Sequence, residues 1–173
     1  MNIKTLYSVE QIQEAVQRTA REIEARFGNE EPVVALCLLN GAIWYAADLL
    51  RCLPANFELQ TIRISSYAGT ESTGELCWHN ALPDCAGKRV LVIDDVLDTG
   101  LTMRAVCDAL RKAGATVVLS TVAVDKEGRR SHEFDADFAA LHCGNLFLVG
   151  YGLDYNGKYR NLPYIAELQI TQE

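Results

Sequence analysis

The sequence predicts an α/β fold: an open parallel sheet flanked by helices, with a small strand-rich hood contributed by the C-terminal part of the chain. Three observations predict it. Short apolar runs, Val33–Leu39 and Arg89–Ile93, have the composition of strands buried on both faces. Helical patterns alternate with such runs, as in βα units. Beyond about residue 125 the helical periodicity ends and only strand candidates remain.

The first predicted element is a helix. Ser8 and Gln11 have capping-box spacing, Ile12, Val16, Ala20, Ile23 and Phe27 form an apolar stripe, and Gly28 is a natural stop. Pro32 precedes the strand Val33–Leu39, Asn40-Gly41 ends it with turn chemistry, and Ala42–Leu53 reads as an apolar-rich helix ended by Pro54. Phe57–Ser65 alternates as a strand does. The hydroxyl- and glycine-rich stretch Ser66–Gly74 is expected to be a mobile loop, and Glu75–Asn80 a short returning strand. Arg89–Ile93 is the strongest strand, with Asp94-Asp95 at its C-terminal end. A helix is expected over about Leu101–Lys112, closed by Gly114, then a β-branched strand over Thr116–Val124. Phe138–Leu141, Phe147–Tyr151 and Tyr164–Leu168 are weaker strand candidates. No repeat, low-complexity tract or Pro/Gly-rich linker divides the chain. One domain over 1–173 is expected, with a core of about 1–125 and a hood of about 126–173.

Composition excludes several classes. With 16 Lys plus Arg against 23 Asp plus Glu, the 173 residues carry a formal net charge of −7, which argues against a nucleic-acid partner. The longest apolar runs fall far short of the roughly 20 residues of a membrane span, and the polar start Met1-Asn2-Ile3-Lys4-Thr5 is unlike a signal peptide. None of the six cysteines forms a Cys-x-x-Cys pair. They read as reduced thiols, several of them in apolar runs, of a cytoplasmic protein.

In open α/β sheets the ligand lies at the C-terminal ends of the strands. That directs attention to Leu39–Gly41, Asp94–Thr102 and the segment after Val124. Thr99, Gly100, Leu101 and Thr102 offer backbone N–H groups at a helix start, two hydroxyls and a glycine that permits close approach, which together make a phosphate cradle. Asp94 and Asp95 can accept hydrogen bonds from sugar hydroxyls, and Asp98, beside the cradle, can take a proton. An acidic pair after a strand is also a common solvated turn or N-cap. Three acids followed by Thr-Gly-x-Thr on a strand–loop–helix fit that bland reading poorly.

The Asp94–Thr102 segment resembles the phosphoribosyl pyrophosphate signature of the type I phosphoribosyltransferases. Leu39-Asn40-Gly41 resembles their pyrophosphate loop, and Ser66-Tyr67 with Ser72-Thr73-Gly74 resembles their flexible lid. Val149–Asn156 followed by Arg160 is similar to the C-terminal motif of the hypoxanthine-guanine branch. The resemblance spans roughly residues 33–168. It implies a type I phosphoribosyltransferase-like fold and transfer of ribose 5-phosphate from phosphoribosyl pyrophosphate to a 6-oxopurine, with Mg²⁺, in a homodimer or homotetramer.

The roles it implies are as follows. Thr99, Gly100, Leu101 and Thr102 hold the 5′-phosphate, Asp94 and Asp95 the ribose hydroxyls, and Asp98 the purine N7 proton. Lys126 donates to purine O6, Phe147 stacks on the base, and the Leu148 backbone meets its edge. Asp154 is a Mg²⁺ ligand, Arg160 and Asn40-Gly41 contact pyrophosphate, and Ser66 and Tyr67 close the lid. Outside such a pattern, Lys126 and Arg160 would read as surface charges, Phe147 as core, Asp154 as a turn residue and Tyr67 as an exposed loop residue. Two departures stand out. Asn40 occupies a position that is usually basic, and Asp94-Asp95 replaces the common Glu-Asp pair. In that family the Leu39-Asn40 peptide can be cis.

Rival readings are weaker. A phosphoacceptor signalling domain would carry its acidic pair near the N-terminus. A phosphoribosyl pyrophosphate-sensing regulator would need a basic surface or a further domain. A xanthine- or guanine-preferring relative remains the serious alternative, since preference among hypoxanthine, guanine and xanthine is not legible in these residues.

Overall fold

The computed structural model describes residues 2–66, 76–128 and 133–169. In chain order the elements are β1 (Asn2–Tyr7), α1 (Val9–Phe27), β2 (Val33–Leu39), α2 (Ile43–Cys52), β3 (Phe57–Ser66), β4 (Leu76–Trp78), β5 (Arg89–Leu97), α3 (Leu101–Lys112), β6 (Val117–Lys126), β7 (Phe138–Cys143), β8 (Leu148–Val149) and β9 (Ile165–Gln169). The six-stranded sheet has the order β4-β3-β2-β5-β6-β7, and a three-stranded sheet has the order β1-β9-β8. In the larger sheet β3, β2, β5, β6 and β7 are parallel, and the short β4 runs antiparallel to β3 at the edge.

The predicted open, mainly parallel sheet flanked by helices is what forms, because the apolar pattern leaves few other solutions. Helix α1 begins with the expected capping box. The Ser8 side chain accepts from the Gln11 N–H at 3.3 Å, and the Gln11 side chain accepts from the Ser8 N–H at 2.9 Å. Its stripe of Ile12, Val16, Ala20, Ile23 and Phe27 joins buried α2 residues over Val33, Ala35 and Cys37 of β2. The alternate residues Val34, Leu36 and Leu38 face the opposite cluster, where α3 contributes Met103, Val106, Cys107 and Leu110. Strand β2 is therefore buried on both faces, as its unbroken apolar run predicts. The outer strand β7 would expose unpaired carbonyls. Those of Ala140 and His142 accept hydrogen bonds from Arg18 of α1 and Tyr7 of β1.

The structure differs from expectation at several boundaries. Strand β5 continues through Leu97, so Asp94 and Asp95 are strand residues, with Asp94 paired to Val122. Strand β6 likewise runs on to Lys126. Position β7 belongs to the large sheet, so that sheet extends beyond the expected core limit of about 125. Conversely, β1 leaves the core for the hood, where it pairs with the last strand, β9. Polar residues near the N-terminus carried too little alternation to reveal β1, whose burial alternates irregularly. Tyr45 of α2 is fully buried, and its hydroxyl shares a 2.7 Å hydrogen bond with Thr121.

Candidate active site

The chain leaves β2 through α2 to reach β3 on one side, and leaves β5 through α3 to reach β6 on the other. The C-terminal ends of β2 and β5 therefore flank a fork in the topology, the usual place for a ligand crevice. A cavity of about 700 Å³ opens there, lined by Leu38, Leu39, Gly41, Ile64, Ser65, the run Asp94–Met103, Asp154 and Arg160.

The turn after β2 forms one wall. The Leu39-Asn40 peptide is cis, and the exposed Asn40 gives its carbonyl to the Ile43 N–H at 3.4 Å. Gly41 lies so close to β5 that a Cβ there would fall 1.8 Å from Asp95 Oδ2. A residue with a side chain cannot occupy this position without moving the carboxylate or the turn. Gly152, from the hood, is equally confined. Its φ is +97°, and a Cβ would fall 2.0 Å from the Gly41 carbonyl oxygen. Three segments distant in sequence thus meet through two glycines.

The aspartates at the end of β5 form the floor. Asp94 Oδ1 accepts from the Asp95 N–H at 2.9 Å, and Asp95 Oδ1 accepts from the Val96 N–H at 3.0 Å. Burial first, and the neighbouring Asp95 carboxylate second, push the Asp94 carboxyl well above the ordinary range. Burial also raises Asp95, against the lowering effects of its hydrogen bonds and of Arg160.

The cradle follows. Gly100, at φ +85°, is the N-cap of α3, and no side chain caps the helix there; the Leu101 N–H meets Thr99 Oγ1 at 3.4 Å. The α3 N-terminus, Thr99 and Thr102 thus face the cavity with positive partial charge.

Asp98 stands between this cradle and the next strand. Its Oδ2 lies 3.6 Å from Lys126 Nζ, and Lys126, at the end of β6, is only 9% exposed. On the opposite side, Asp154 Oδ1 pairs with Arg160 Nη2 at 2.6 Å, while Asp154 Oδ2 accepts from the Gly157 N–H at 2.7 Å. Arg160 also donates to the Gly152 carbonyl.

The cavity therefore brings together Gly41, Asp94, Asp95, Asp98, Thr99, Gly100, Leu101, Thr102, Asp154 and Arg160. Lys126 joins through Asp98. Phe147 and Leu148 lie outside its lining, in the hood. The Phe147 ring is 46% exposed and meets Tyr155 edge-on at 5.6 Å, whereas Leu148 is buried and pairs with Glu167. Ser66 ends β3 opposite Leu76, and Tyr67 lies outside the described residues. Ile64 and Ser65 were not anticipated in the lining, although the strand-end rule applied to β3 would have found them.

Among the described residues, no group of three or more His, Cys, Asp or Glu side chains forms a metal cage. One or two carboxylates facing an open cavity are nonetheless the donor set that Mg²⁺ uses when phosphate oxygens and waters complete its shell.

Comparison with known proteins agrees with this geometry. The family described as phosphoribosyl transferase domain matches residues 2–156. The hypoxanthine-guanine phosphoribosyltransferase of Aquifex aeolicus is 40% identical over 165 residues, covering 94% of this chain and 93% of the relative. The hypoxanthine-guanine-xanthine phosphoribosyltransferase of Tritrichomonas foetus is 34% identical over 96% of this chain and 91% of its own length. Among solved structures, a Bacillus anthracis hypoxanthine-guanine phosphoribosyltransferase with a HEPES molecule in its active site superposes with a TM-score of 0.90 at 36% identity, covering 97% of this chain and 100% of that one. A Staphylococcus aureus hypoxanthine phosphoribosyltransferase also gives 0.90, at 31% identity over 96% and 91% of the two chains. An aspartate pair at a strand end, a helix-start cradle and near-full-length likeness converge on one conclusion: the chain belongs to the phosphoribosyl transferase family, in its hypoxanthine-guanine branch.

Proposed function

We propose that the chain is a purine salvage enzyme that transfers the 5-phosphoribosyl group from phosphoribosyl pyrophosphate to hypoxanthine, and to guanine, releasing IMP or GMP and pyrophosphate. The observation that carries the reading is the joining of an anion cradle, a raised aspartate pair and the Asp98–Lys126 pair around one cavity.

The α3 N-terminus with Thr99–Thr102 holds the 5′-phosphate, and Asp94 and Asp95 accept the ribose hydroxyls. The purine enters beneath the hood, stacked on Phe147, with the Leu148 backbone at its edge and Lys126 donating to O6. Purine N9 bonds to ribose C1 as the bond from C1 to the pyrophosphate oxygen breaks, and that oxygen keeps the electron pair. The N7 proton passes to Asp98. Arg160 and the backbone of Asn40-Gly41 hold the departing pyrophosphate, and the side-chain charge usual at position 40 is absent. Asp154 is the residue that would hold Mg²⁺. When bound there, Mg²⁺ would supply neutralisation of the pyrophosphate charge.

Exposed Ile43 (44%), Leu59 (54%) and Trp78 (37%) support assembly as a homodimer or homotetramer. Six free cysteines support a cytoplasmic setting. No helix among the described residues is long and apolar enough to cross a membrane.

The test is pyrophosphate release from phosphoribosyl pyrophosphate with Mg²⁺ and each of hypoxanthine, guanine, xanthine and adenine. Turnover with hypoxanthine and guanine is expected, and silence with every purine overturns the reading. Asp98→Asn is expected to lower kcat by about 10²–10⁴-fold with phosphoribosyl pyrophosphate binding retained in calorimetry.

A further inference from the structure

Tyr151 is out of keeping with its surroundings. It is a bulky residue with φ +49°, in the left-handed region that side chains avoid, yet only 5% of its surface is exposed. Such a conformation persists only where neighbours over-determine it. Its backbone N–H donates to the Leu162 carbonyl at 2.8 Å. Its hydroxyl donates to Asp48 Oδ2 at 2.9 Å, across 103 residues of sequence. Burial and the Asp48 carboxylate push the phenol above the ordinary tyrosine range, so it stays protonated as the donor.

Both ends of this hydrogen bond sit next to parts of the site. Asp48 lies on α2, which begins two residues after Gly41. Tyr151 immediately precedes Gly152, whose Cα is pressed against the Gly41 carbonyl and Trp44. Gly152 in turn accepts from Arg160, which pairs with Asp154. The same two stretches of chain are therefore joined twice, by close backbone approach and by the phenol–carboxylate bond.

We infer that Tyr151 and Asp48 form a positioning latch that fixes the Asp154–Arg160 loop against the turn after β2, and so sets the pyrophosphate and metal half of the site while leaving the purine half alone. The inference rests on the function proposed above. Groups that orient a metal ligand from behind typically matter by about 10–100-fold when removed. Tyr151 and Asp48 touch no reacting atom in this scheme. They act through Asp154 and Arg160.

The experiment compares Tyr151→Phe, Asp48→Ala, their double variant, Asp48→Asn and Arg51→Ala in full-length protein. Tyr151→Phe and Asp48→Ala are expected to raise KM for phosphoribosyl pyrophosphate about tenfold or more, with KM for hypoxanthine within twofold of the unsubstituted chain. The double variant is expected to be no worse than either single one. Asp48→Asn keeps an acceptor for the phenol and is expected to restore most of the loss. Arg51→Ala removes only the other partner of Asp48, at 2.9 Å, and is expected to change neither KM. Hydrogen exchange across residues 150–160 is measured in parallel, and Tyr151→Phe is expected to speed it.

An unchanged KM for phosphoribosyl pyrophosphate in Tyr151→Phe overturns the latch, as do equal losses for both substrates or strictly additive single effects. If the unsubstituted chain turns over no purine, the proposed function falls, and exchange then decides the latch: unaltered protection of 150–160 in Tyr151→Phe overturns it too.

Discussion

Asp94 and Asp95 stand side by side and half-buried at the end of β5, with the Arg160 charge acting on Asp95. A carboxyl whose folded value is raised binds its proton more tightly folded than unfolded. Its contribution to stability is therefore present at acid pH and is lost as pH rises from the ordinary carboxylate range through the raised value. Where the pair is ionised it works against the fold and awaits hydroxyl donors. Asp94→Asn is accordingly expected to raise Tm at pH 7 by roughly 2–4 °C, with the gain shrinking as pH is lowered towards 4, and to abolish the thermal shift given by phosphoribosyl pyrophosphate. Thermal melts across pH, with and without that ligand, check both parts. This half of the site was legible in the sequence because it is contiguous: Asp94 to Thr102 is one strand end, one loop and one helix start. Tyr151 was not. Its meaning lies in a hydrogen bond to Asp48, and nothing near either residue announces the other.

At the scale of elements, the site depends on how closely backbones approach. Asn40-Gly41 was readable as a turn, but its reason for containing glycine was not. That reason is the Asp95 carboxylate 1.8 Å from where a Cβ would stand. Gly41→Ala is expected to lower kcat/KM for phosphoribosyl pyrophosphate by about 10²-fold, because displacement of roughly 1 Å at such a site has that effect. Circular dichroism should show the secondary structure unchanged, since the turn lies outside β2 and α2. Element boundaries shifted for a related reason. β5 and β6 run on to Leu97 and Lys126 because each continues to find a partner there, Leu97 opposite Asp125 and Lys126 opposite Cys143. Hydrophobicity alone, which fades at Ile93 and Val124, does not record those pairings.

For the molecule as a whole, the parallel sheet was legible because buried strands and amphipathic helices leave strong local patterns. The hood was only half legible. Its strands β8 and β9 lay in the expected region, but β1 comes from the opposite end of the chain and pairs Asn2 to Gln169 and Thr5 to Ala166. Removing residues 1–7 is expected to lower Tm and to raise KM for hypoxanthine more than for phosphoribosyl pyrophosphate. It strips β9, the strand next to β8 and to the Phe147 carbonyl, of its β1 partner, while the α3 cradle keeps its own supports. Melting curves and the two KM values check this. The pairing of first strand with last also bears on birth at the ribosome. The large sheet ends at β7, so most of the phosphate side can assemble while the chain is still growing. The roof over the base waits for β9 to emerge and pair with β1. A chain stopped before β9 would keep its cradle yet lose the strand that backs Phe147 and Leu148.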